Sequence, residues 1–313
     1  MIDLATRLGH SVALSNPVMT ASGTAGFSTE LNGYFEMRRL GAFVTKSLAH
    51  FATEGNPSPR AAGAGPAMLN SVGLAGPGIQ AWRAEHAPLL ARLGIPTFVS
   101  IWGRTVADYE KAVGQLSGLG DFAIGIEVNI SCPNIEDRGK MFAHSPEVVA
   151  EVMDATAGAD LPRTVKLSPN THLILEVADV ARAKGAAGAV LVNTAMGLGI
   201  DPGLLIPTLG AKGGGVSGPA LHPIALRAVY ECHAAFPKFP LVGVGGVSTA
   251  REAIAMLAAG ASAVQVGTAS FVEPRAASRI LAELPASMER LGFSRVSDLV
   301  GAAHRGGIAG TNR

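Results

Sequence analysis

Short apolar runs alternate along this chain with longer segments in which apolar residues recur every three or four positions. The first pattern is typical of buried strands and the second of amphipathic helices. The predicted strands are 17–21, 42–46, 97–101, 123–130, 164–167, 189–192, 241–244 and 263–266. The predicted helices are 28–40, 79–93, 106–116, 146–157, 173–184, 223–235, 250–259 and 276–291.

Eight strand–helix pairs in series predict an α/β fold, a single closed (β/α)8 or TIM barrel. A doubly wound open sheet is the alternative, although such sheets usually have fewer strands. Residues 3–14 are predicted to form an N-terminal hairpin, and long loops are predicted after strands 2, 4 and 6. No shift in composition marks a linker, so residues 1–313 are predicted to form a single domain.

Composition narrows the function classes. The 313 residues are 48% apolar and 16% charged, with a net charge of +1, which leaves no electrostatic footprint for nucleic acid or an anionic membrane. No apolar run approaches the ~18 residues of a membrane span. Asp3 and Arg7 lie where a signal peptide needs apolar residues, so we expect a cytoplasmic protein. Two cysteines provide neither a disulfide framework nor the four ligands of a typical iron–sulfur cluster, and the eight histidines show no metal-ligand spacing.

The segment 127–134 carries the most chemistry. A predicted strand ends there in a thiol, Cys132, between two carboxamides, Asn129 and Asn134. Pro133 pushes Cys132 toward an extended conformation, and in an α/β barrel chemistry takes place where strands end. The alternative is a buried cysteine without a chemical role. A cysteine hydrolase would also need a histidine base, and no sequence signature assigns one.

The carboxyl ends of the predicted strands are polar although the strand interiors are apolar. They comprise Ser22 and Gly23, Lys46 and Ser47, Ser100, Asn129 and Cys132, Lys166, Asn193 and Thr194, Gly245 and Gly246, and Gly267 and Thr268. Lysines that end two strands among carboxamides favour an anionic ligand over solvated rim charges. Glycine-rich turns after strands 7 and 8 commonly bind phosphate in this fold, while tight turns alone are the alternative.

Three further features of the sequence each have an ordinary structural explanation. Thr249 and Glu252 have the spacing of a capping box. His144 lies in the loop after Cys132 and is a candidate for substrate contact, whereas a loop histidine is ordinarily only solvated. Cys232 falls within an amphipathic helix and is predicted to be inert packing.

Several of these residues belong to longer motifs that resemble a known family. The motifs are Asn-Pro-x-x-x-Ala-Ser-Gly at 16–23, Thr-Lys-Ser at 45–47, Gly-Asn-Pro-x-Pro-Arg at 55–60, Met-Leu-Asn-Ser-Val-Gly-Leu at 68–74, Asn-Ile-Ser-Cys-Pro-Asn at 129–134, Val-Lys-Leu-Ser-Pro-Asn at 165–170, Val-Asn-Thr at 192–194, Gly-Gly-Val-Ser-Gly-Pro-Ala at 214–220 and Val-Gly-Thr-Ala at 266–269. Nearly end to end, the chain resembles class 1 dihydroorotate dehydrogenases, most closely the FMN-binding catalytic subunit of type B.

The resemblance implies oxidation of dihydroorotate to orotate in pyrimidine biosynthesis. Cys132 would be the general base, while a hydride passes to FMN. The residues implied in FMN binding are Ser22, Lys46, Ser47, Ser100, Asn129, Lys166, Val192, Gly218, Gly245, Gly246, Gly267 and Thr268. The residues implied in pyrimidine binding are Lys46, Asn70, Ser71, Val72, Gly73, Leu74, Asn129, Asn134, Asn193 and Thr194. Carboxamides both donate and accept hydrogen bonds, which suits a pyrimidine, and Lys166 would favour negative charge on a reduced flavin.

The resemblance also implies partners. A homodimer is expected, together with a separate subunit that carries FAD and a [2Fe–2S] cluster and passes electrons to NAD. This chain has too few cysteines for the cluster and lacks a Gly-x-Gly-x-x-Gly fingerprint after a strand.

The chain departs from the family pattern at a few positions, and two other functions stay open. Ser100 stands where type B usually has Asn, Trp102 and Arg104 stand where small residues are usual, and Ala143 and His144 differ in the loop after the base. One alternative is an FMN enzyme that acts on another dihydropyrimidine. The other is a phosphate-binding barrel isomerase or aldolase without flavin.

Overall fold

The computed structural model describes residues 2–131 and 141–308. Its strands are β1 (Thr6–Leu8), β2 (Val12–Leu14), β3 (Val18–Thr20), β4 (Phe43–Val44), β5 (Ala61–Ala64), β6 (Ala67–Asn70), β7 (Thr97–Ile101), β8 (Ala123–Asn129), β9 (Arg163–Leu167), β10 (Gly188–Leu191), β11 (Ala195–Gly197), β12 (Ile200–Asp201), β13 (Ile206–Pro207), β14 (Gly214–Ser217), β15 (Leu241–Val244) and β16 (Ala263–Val266). Its α-helices are α1 (Ile79–Glu85), α2 (Ala87–Leu93), α3 (Val106–Gly114), α4 (Pro146–Ala155), α5 (Ile174–Ala183), α6 (His222–Ala235), α7 (Ala250–Ala258), α8 (Ala269–Val272), α9 (Ala276–Arg290) and α10 (Val296–Leu299).

Eight parallel strands form the barrel. Their order is β3-β16-β15-β10-β9-β8-β7-β4. A parallel bridge between Met19 and Ala42 joins the two outermost strands, and the Gly41 N–H donates to the Val18 carbonyl over 2.8 Å. The bridge closes the sheet on itself with helices between the strands, which confirms the predicted (β/α)8 barrel.

The core has two layers. A large outer cluster packs the helices against the strands, with Trp82, Leu90 and Ile126 fully buried. The inner cluster fills the barrel and unites Phe98 with Leu14 of the hairpin β1–β2. The hairpin therefore covers the amino end of the barrel, and the predicted N-terminal hairpin is confirmed.

A second sheet lies within the two long excursions that were predicted as loops, 52–77 and 194–221. Its antiparallel order is β11-β14-β6-β5, and Leu69 pairs with Val216 while Asn70 pairs with Gly215. These strands are short and glycine-rich and lack an alternating apolar pattern. The pairs β5–β6 and β11–β14 are local, and the pairing of β6 with β14 across about 145 residues of chain joins them into one sheet.

Two helix predictions need correction. Residues 28–40 are not an α-helix, and only a 3-10 turn occurs there, at Met37–Arg39. The Asn32 carboxamide accepts from the Met37 N–H over 3.2 Å, and side-chain bonds of this kind compete with a helix. Predicted helix 79–93 is two helices that meet at His86, since Pro88 in the first turn of α2 has no N–H to continue α1.

Other boundaries differ by a few residues at most. Strand predictions 97–101, 241–244 and 263–266 coincide with β7, β15 and β16, and the capping box of Thr249 and Glu252 begins α7 as predicted. Cys132, Asn134 and most of the loop after the fourth barrel strand, β8, lie outside the described residues. Within the described ranges, no helix is both long enough and apolar enough to cross a lipid bilayer.

Candidate active site

A cavity of about 860 Å³ opens at the carboxyl ends of the barrel strands, beneath the antiparallel sheet. This volume is within the usual range for small-molecule and cofactor sites. The predicted site residues that line it are Ser22, Lys46, Ser47, Asn70, Ser71, Val72, Gly73, Leu74, Asn129, Lys166, Val192, Asn193, Thr194, Gly218, Gly245, Gly246, Gly267 and Thr268. Residues from widely separated parts of the chain therefore meet in one place.

The remaining predicted site residues are not part of this described lining. Ser100 is fully buried below the floor of the cavity, where its hydroxyl lies 2.9 Å from the Ser47 hydroxyl. Cys132 and Asn134 fall outside the described residues, between Ser131 and Met141, which both line the cavity.

A row of hydrogen-bonded polar groups forms the floor of the cavity. The Ser22 and Ser47 hydroxyls are 3.2 Å apart, and the Asn129 amide donates to the Ser47 hydroxyl over 3.2 Å. The Asn193 side-chain amide in turn donates to the side-chain oxygen Oδ1 of Asn129 over 3.2 Å. Because each group fixes the next, the floor presents donors and acceptors in set directions before any ligand arrives.

Beside this row lies a buried ion pair. The Lys166 ammonium is 3.6 Å from Glu127 Oε1, and both side chains are almost wholly buried. A buried charge is costly without a partner, and Glu127 is the partner of Lys166. Glu127 is itself held by the Gln265 amide, which donates to Oε2 over 2.8 Å, and by the Ser100 hydroxyl at 3.3 Å.

Glu127 and Gln265 were not predicted as site residues, although the sequence carries a signal for each. Glu127 precedes Asn129 by two positions, and alternate residues of a strand lie on the same face. An acidic residue in register with a floor residue, on a strand that is otherwise apolar, indicates a charge inside the barrel. Gln265 shows the same kind of signal, since it is a polar residue in the apolar strand 263–266 and precedes Gly267 by two positions.

Lys46 provides a second cation, in the loop after β4. Its ammonium donates to the Ala75 carbonyl and lies 5.2 Å from the centre of the Phe27 ring. Burial, and then repulsion from Arg60, lowers the pKa of Lys46 below its ordinary value. Both effects disfavour the ammonium form, and an anion bound beside it would counter both. The electrostatics of this end of the cavity therefore favour an anionic ligand.

Glycines shape the opposite end of the cavity. Gly218, Gly245 and Gly246 have positive φ angles of 87°, 134° and 65°, where side chains are rarely tolerated. A Cβ on Gly246 would lie 2.7 Å from the Cβ of His222 and 3.0 Å from the Gly218 carbonyl oxygen, so only glycine fits there. The Thr268 hydroxyl donates to the Ser217 hydroxyl over 2.8 Å, which links two of the loops.

This glycine-lined end suits a phosphate group. Backbone N–H groups in such turns bind phosphate. The turns after the seventh and eighth strands of a barrel, here β15 and β16, commonly do so. The opposite end suits an anionic ring compound. Judged by the buried Lys166 and the side-chain-free cradle, the residues present fit a phosphorylated flavin.

The antiparallel sheet brings the segment 68–74 over the cavity. The Ser71 N–H donates to the Arg60 carbonyl over 2.8 Å, and the Asn56 amide donates to the Ser71 hydroxyl over 2.8 Å. Leu74 has a positive φ of 56°, a conformation that its neighbours must maintain. The roof of the site is therefore held by many local bonds.

Cys232 and His144, the two lesser candidates, both lie outside the described lining of the cavity. Cys232 is 1% exposed, and burial raises the pKa of its thiol to about 12, so the prediction of inert packing is confirmed. His144 is in a 3-10 turn, Phe142–His144, and is not among the described residues that line the cavity.

Together, the fold and the cavity define a (β/α)8 barrel with a two-part site, one end lined by glycines and the other by Lys46 and the segment 70–74. The family model of dihydroorotate dehydrogenase matches residues 4–288. This chain belongs to the dihydroorotate dehydrogenase family, whose members are flavoproteins and oxidoreductases.

Several curated relatives are similar over nearly their whole length. A protein of Pelobacter propionicus named dihydroorotate dehydrogenase B (NAD(+)), catalytic subunit, is 43% identical over 290 residues, 92% of this chain and 95% of the relative. A protein of Desulforudis audaxviator with the same name is 42% identical, over 95% of this chain and 96% of the relative. A protein of Solibacter usitatus named putative dihydroorotate dehydrogenase A (fumarate) is 44% identical, over 93% and 95%.

Proposed function

We propose that this chain oxidises dihydroorotate to orotate in pyrimidine biosynthesis, as the FMN-binding catalytic subunit of a type B enzyme. The observation that carries the proposal is the convergence of a glycine cradle, a buried Lys166–Glu127 pair and an anion-favouring end at Lys46 in one cavity. Family membership and the type B names of two of the relatives support it.

The cofactor end of the cavity is proposed to hold FMN. Gly245, Gly246, Gly267 and Thr268 would bind the phosphate through backbone N–H groups and a hydroxyl. The other residues proposed to contact FMN are Ser22, Lys46, Ser47, Asn129, Lys166, Val192 and Gly218. Ser100 would act through Ser47, to which its hydroxyl is bonded. The bound FMN supplies the acceptor for the hydride.

The substrate end is proposed to hold the pyrimidine. Asn70, Asn129, Asn193 and Thr194 would match its imide groups, with Ser71, Val72, Gly73 and Leu74 shaping the roof. Lys46 would face its carboxylate, an arrangement that relieves the cost of burying the ammonium. Asn134 belongs to the same motif and keeps its proposed role.

Cys132 is proposed as the general base that takes the proton from C5 of dihydroorotate. A thiolate is a sufficient base near neutral pH, and a positioned base typically accelerates a proton transfer by ~10²–10⁴-fold. The support is its motif, Asn-Ile-Ser-Cys-Pro-Asn, and its position between two residues that line the cavity, Ser131 and Met141.

Two partners belong to the proposal. We propose a homodimer, and a separate subunit that carries FAD and a [2Fe–2S] cluster and passes electrons to NAD. The type B relatives are named as catalytic subunits of NAD-linked enzymes, which supports a separate electron-transfer partner. A cytoplasmic location stays a prediction from the sequence.

Anaerobic reduction by the substrate tests the proposal. The purified chain should carry one FMN, released on denaturation, and dihydroorotate should bleach its flavin absorbance. Bleaching by dihydrouracil or dihydrothymine in place of dihydroorotate would identify an enzyme for another dihydropyrimidine. A colourless protein that gains no flavin from added FMN would favour the phosphate-binding isomerase or aldolase.

A further inference from the structure

The guanidinium of Arg104 lies at the rim of the substrate end of the cavity, and no carboxylate among the described residues pairs with it. Trp102 follows β7 directly, Arg104 comes two residues later, and both line the same cavity as Lys46 and the roof segment 70–74. The chemistry of this rim therefore bears on which substrates the cavity accepts.

An aromatic shelf supports this cation. Trp102 is buried and clusters with Ala49, Phe51 and Leu74. The rings of Phe51 and Trp102 meet edge to face with centres 5.5 Å apart. Because Leu74 also ends the segment proposed to bind the pyrimidine, the shelf is continuous with the substrate end of the cavity.

The Arg104 guanidinium lies on this shelf. Its centre is 4.8 Å from the centre of the Phe51 ring and 6.0 Å from that of Trp102, distances at which a cation is attracted to a ring face. Among the described residues, no carboxylate forms an ion pair with Arg104, and no group accepts a hydrogen bond from its guanidinium. The rings thus hold the charge in place and leave its donors available to a ligand.

The backbone under Arg104 is fixed as well. The Asp108 carboxylate accepts from the N–H groups of Arg104 and Thr105 over 2.8 and 3.0 Å. The same carboxylate pairs with His50 at 2.9 Å, and the His50 ring packs edge to face on Phe51 with centres 4.9 Å apart. One carboxylate therefore anchors both the shelf and the segment that carries the cation.

We propose that Arg104 is a specificity-determining residue, which together with Lys46 selects anionic dihydropyrimidines over neutral ones. This inference rests on the proposed function. A rim cation with free donors both attracts an anion toward the cavity and offers a planar pair of N–H groups to a carboxylate. Arg104 is assigned no part in proton or hydride transfer, so its contribution falls on binding.

Charge removal at Arg104 with a matched control tests the inference. Arg104→Gln is compared with Arg92→Gln, since Arg92 is an exposed arginine on α2 that does not line the cavity. For each holoprotein, FMN content and thermal stability are measured first. The assays are the Kd for orotate from flavin absorbance, and kcat and KM for dihydroorotate and for its neutral methyl ester.

The expected result is a selective loss of binding for anions. Arg104→Gln should raise the orotate Kd and the dihydroorotate KM by about tenfold, with kcat within about twofold of wild type, because the lost interaction is the same in ground and transition states. The penalty should shrink at high salt, and KM for the methyl ester should stay near the wild-type value. Arg104→Lys should recover part of the loss, and Arg92→Gln should behave as wild type.

Other outcomes are equally decisive. An unchanged orotate Kd in Arg104→Gln would overturn the inference, and so would an equal loss for the acid and the methyl ester, which would reveal only a structural role. If the wild type binds orotate but does not oxidise dihydroorotate, the proposed function is wrong. The effect of Arg104→Gln on the orotate Kd would still test the inference about Arg104. If the wild type binds no orotate, both fail.

Discussion

The polar side chains of the cavity floor are fixed by hydrogen bonds and an ion pair with residues from other parts of the chain. Lys166 lies next to Leu167 at the carboxyl end of β9, yet its ammonium is fixed 3.6 Å from Glu127, which Gln265 and Ser100 hold in turn. Breaking such a buried pair from one side leaves an unmatched charge. The position of this buried charge is therefore set by four strands, β7, β8, β9 and β16.

Cys132 carries the clearest prediction at this scale. Cys132→Ala should keep its FMN, because the base is not assigned a contact with the flavin. Flavin reduction by dihydroorotate should slow by roughly 10²–10⁴-fold, the usual contribution of a positioned base. In the wild type the rate should rise with pH through the thiol's pKa, near ~8.5 for a free cysteine, and this rise should vanish in the variant. Anaerobic stopped-flow absorbance across pH measures both effects.

Two variants control that experiment. Cys232→Ala should react as wild type, since Cys232 is buried in α6 away from the described cavity lining. Cys132→Ser should also be slow, because a serine hydroxyl is a far weaker acid. A wild-type rate and pH profile in Cys132→Ala would assign the base to another residue.

Among the elements, the antiparallel sheet decides the shape of the site. Strands β6 and β14 come from the two long excursions and pair across the top of the barrel. The packing is close. A Cβ on Gly215 in β14 would overlap the Thr194 hydroxyl, whereas a Cβ on Gly63 in β5 would meet nothing within 4 Å. The two glycines of one sheet thus form a matched pair.

We expect Gly215→Ala to displace β14 or Thr194 and so disturb the substrate end. Overpacking of this kind costs roughly 1–3 kcal/mol in the free energy of unfolding. The substitution should lower the thermal midpoint and raise KM for dihydroorotate. Gly63→Ala should change stability by no more than ~0.5 kcal/mol and leave KM unaltered, as for most open positions. Equal effects of the two substitutions would mean that the contact with Thr194 does not govern the site.

At the scale of the whole molecule, the cavity at the carboxyl ends of the barrel strands is proposed to hold one FMN and one small substrate. No Gly-x-Gly-x-x-Gly fingerprint follows a strand in this sequence, and two cysteines cannot hold an iron–sulfur cluster of the usual kind. The proposed second polypeptide would supply the groups that pass electrons from the flavin to NAD, and the names of the type B relatives support it.

The isolated chain should accordingly reduce an artificial dye with dihydroorotate but leave NAD unreduced. Steady-state assays with the dye, NAD and fumarate as acceptors measure this directly. Rapid NAD reduction by the isolated chain would contradict the need for a partner. Fumarate reduction as fast as that of the dye would align the chain with its relative named as a type A enzyme.

The local pattern of the sequence determined the barrel. Buried parallel strands are near-continuous apolar runs, so most strands, including β7, β15 and β16, could be placed to within a residue or two. The glycine turns after the seventh and eighth barrel strands, β15 and β16, could also be predicted from the sequence. So could the polar strand ends, including Lys166, because a barrel brings the carboxyl ends of all its strands together.

Tertiary structure alone decided three things. The antiparallel sheet exists because β6 and β14 meet, and neither has a strand pattern of its own. The ion pair of Lys166 with Glu127 joins neighbouring strands whose register is set by the closed barrel. The shelf under Arg104 unites Phe51 and Trp102, which no local pattern relates. Each depends on contacts between residues distant in the chain, and such contacts leave little trace in local periodicity.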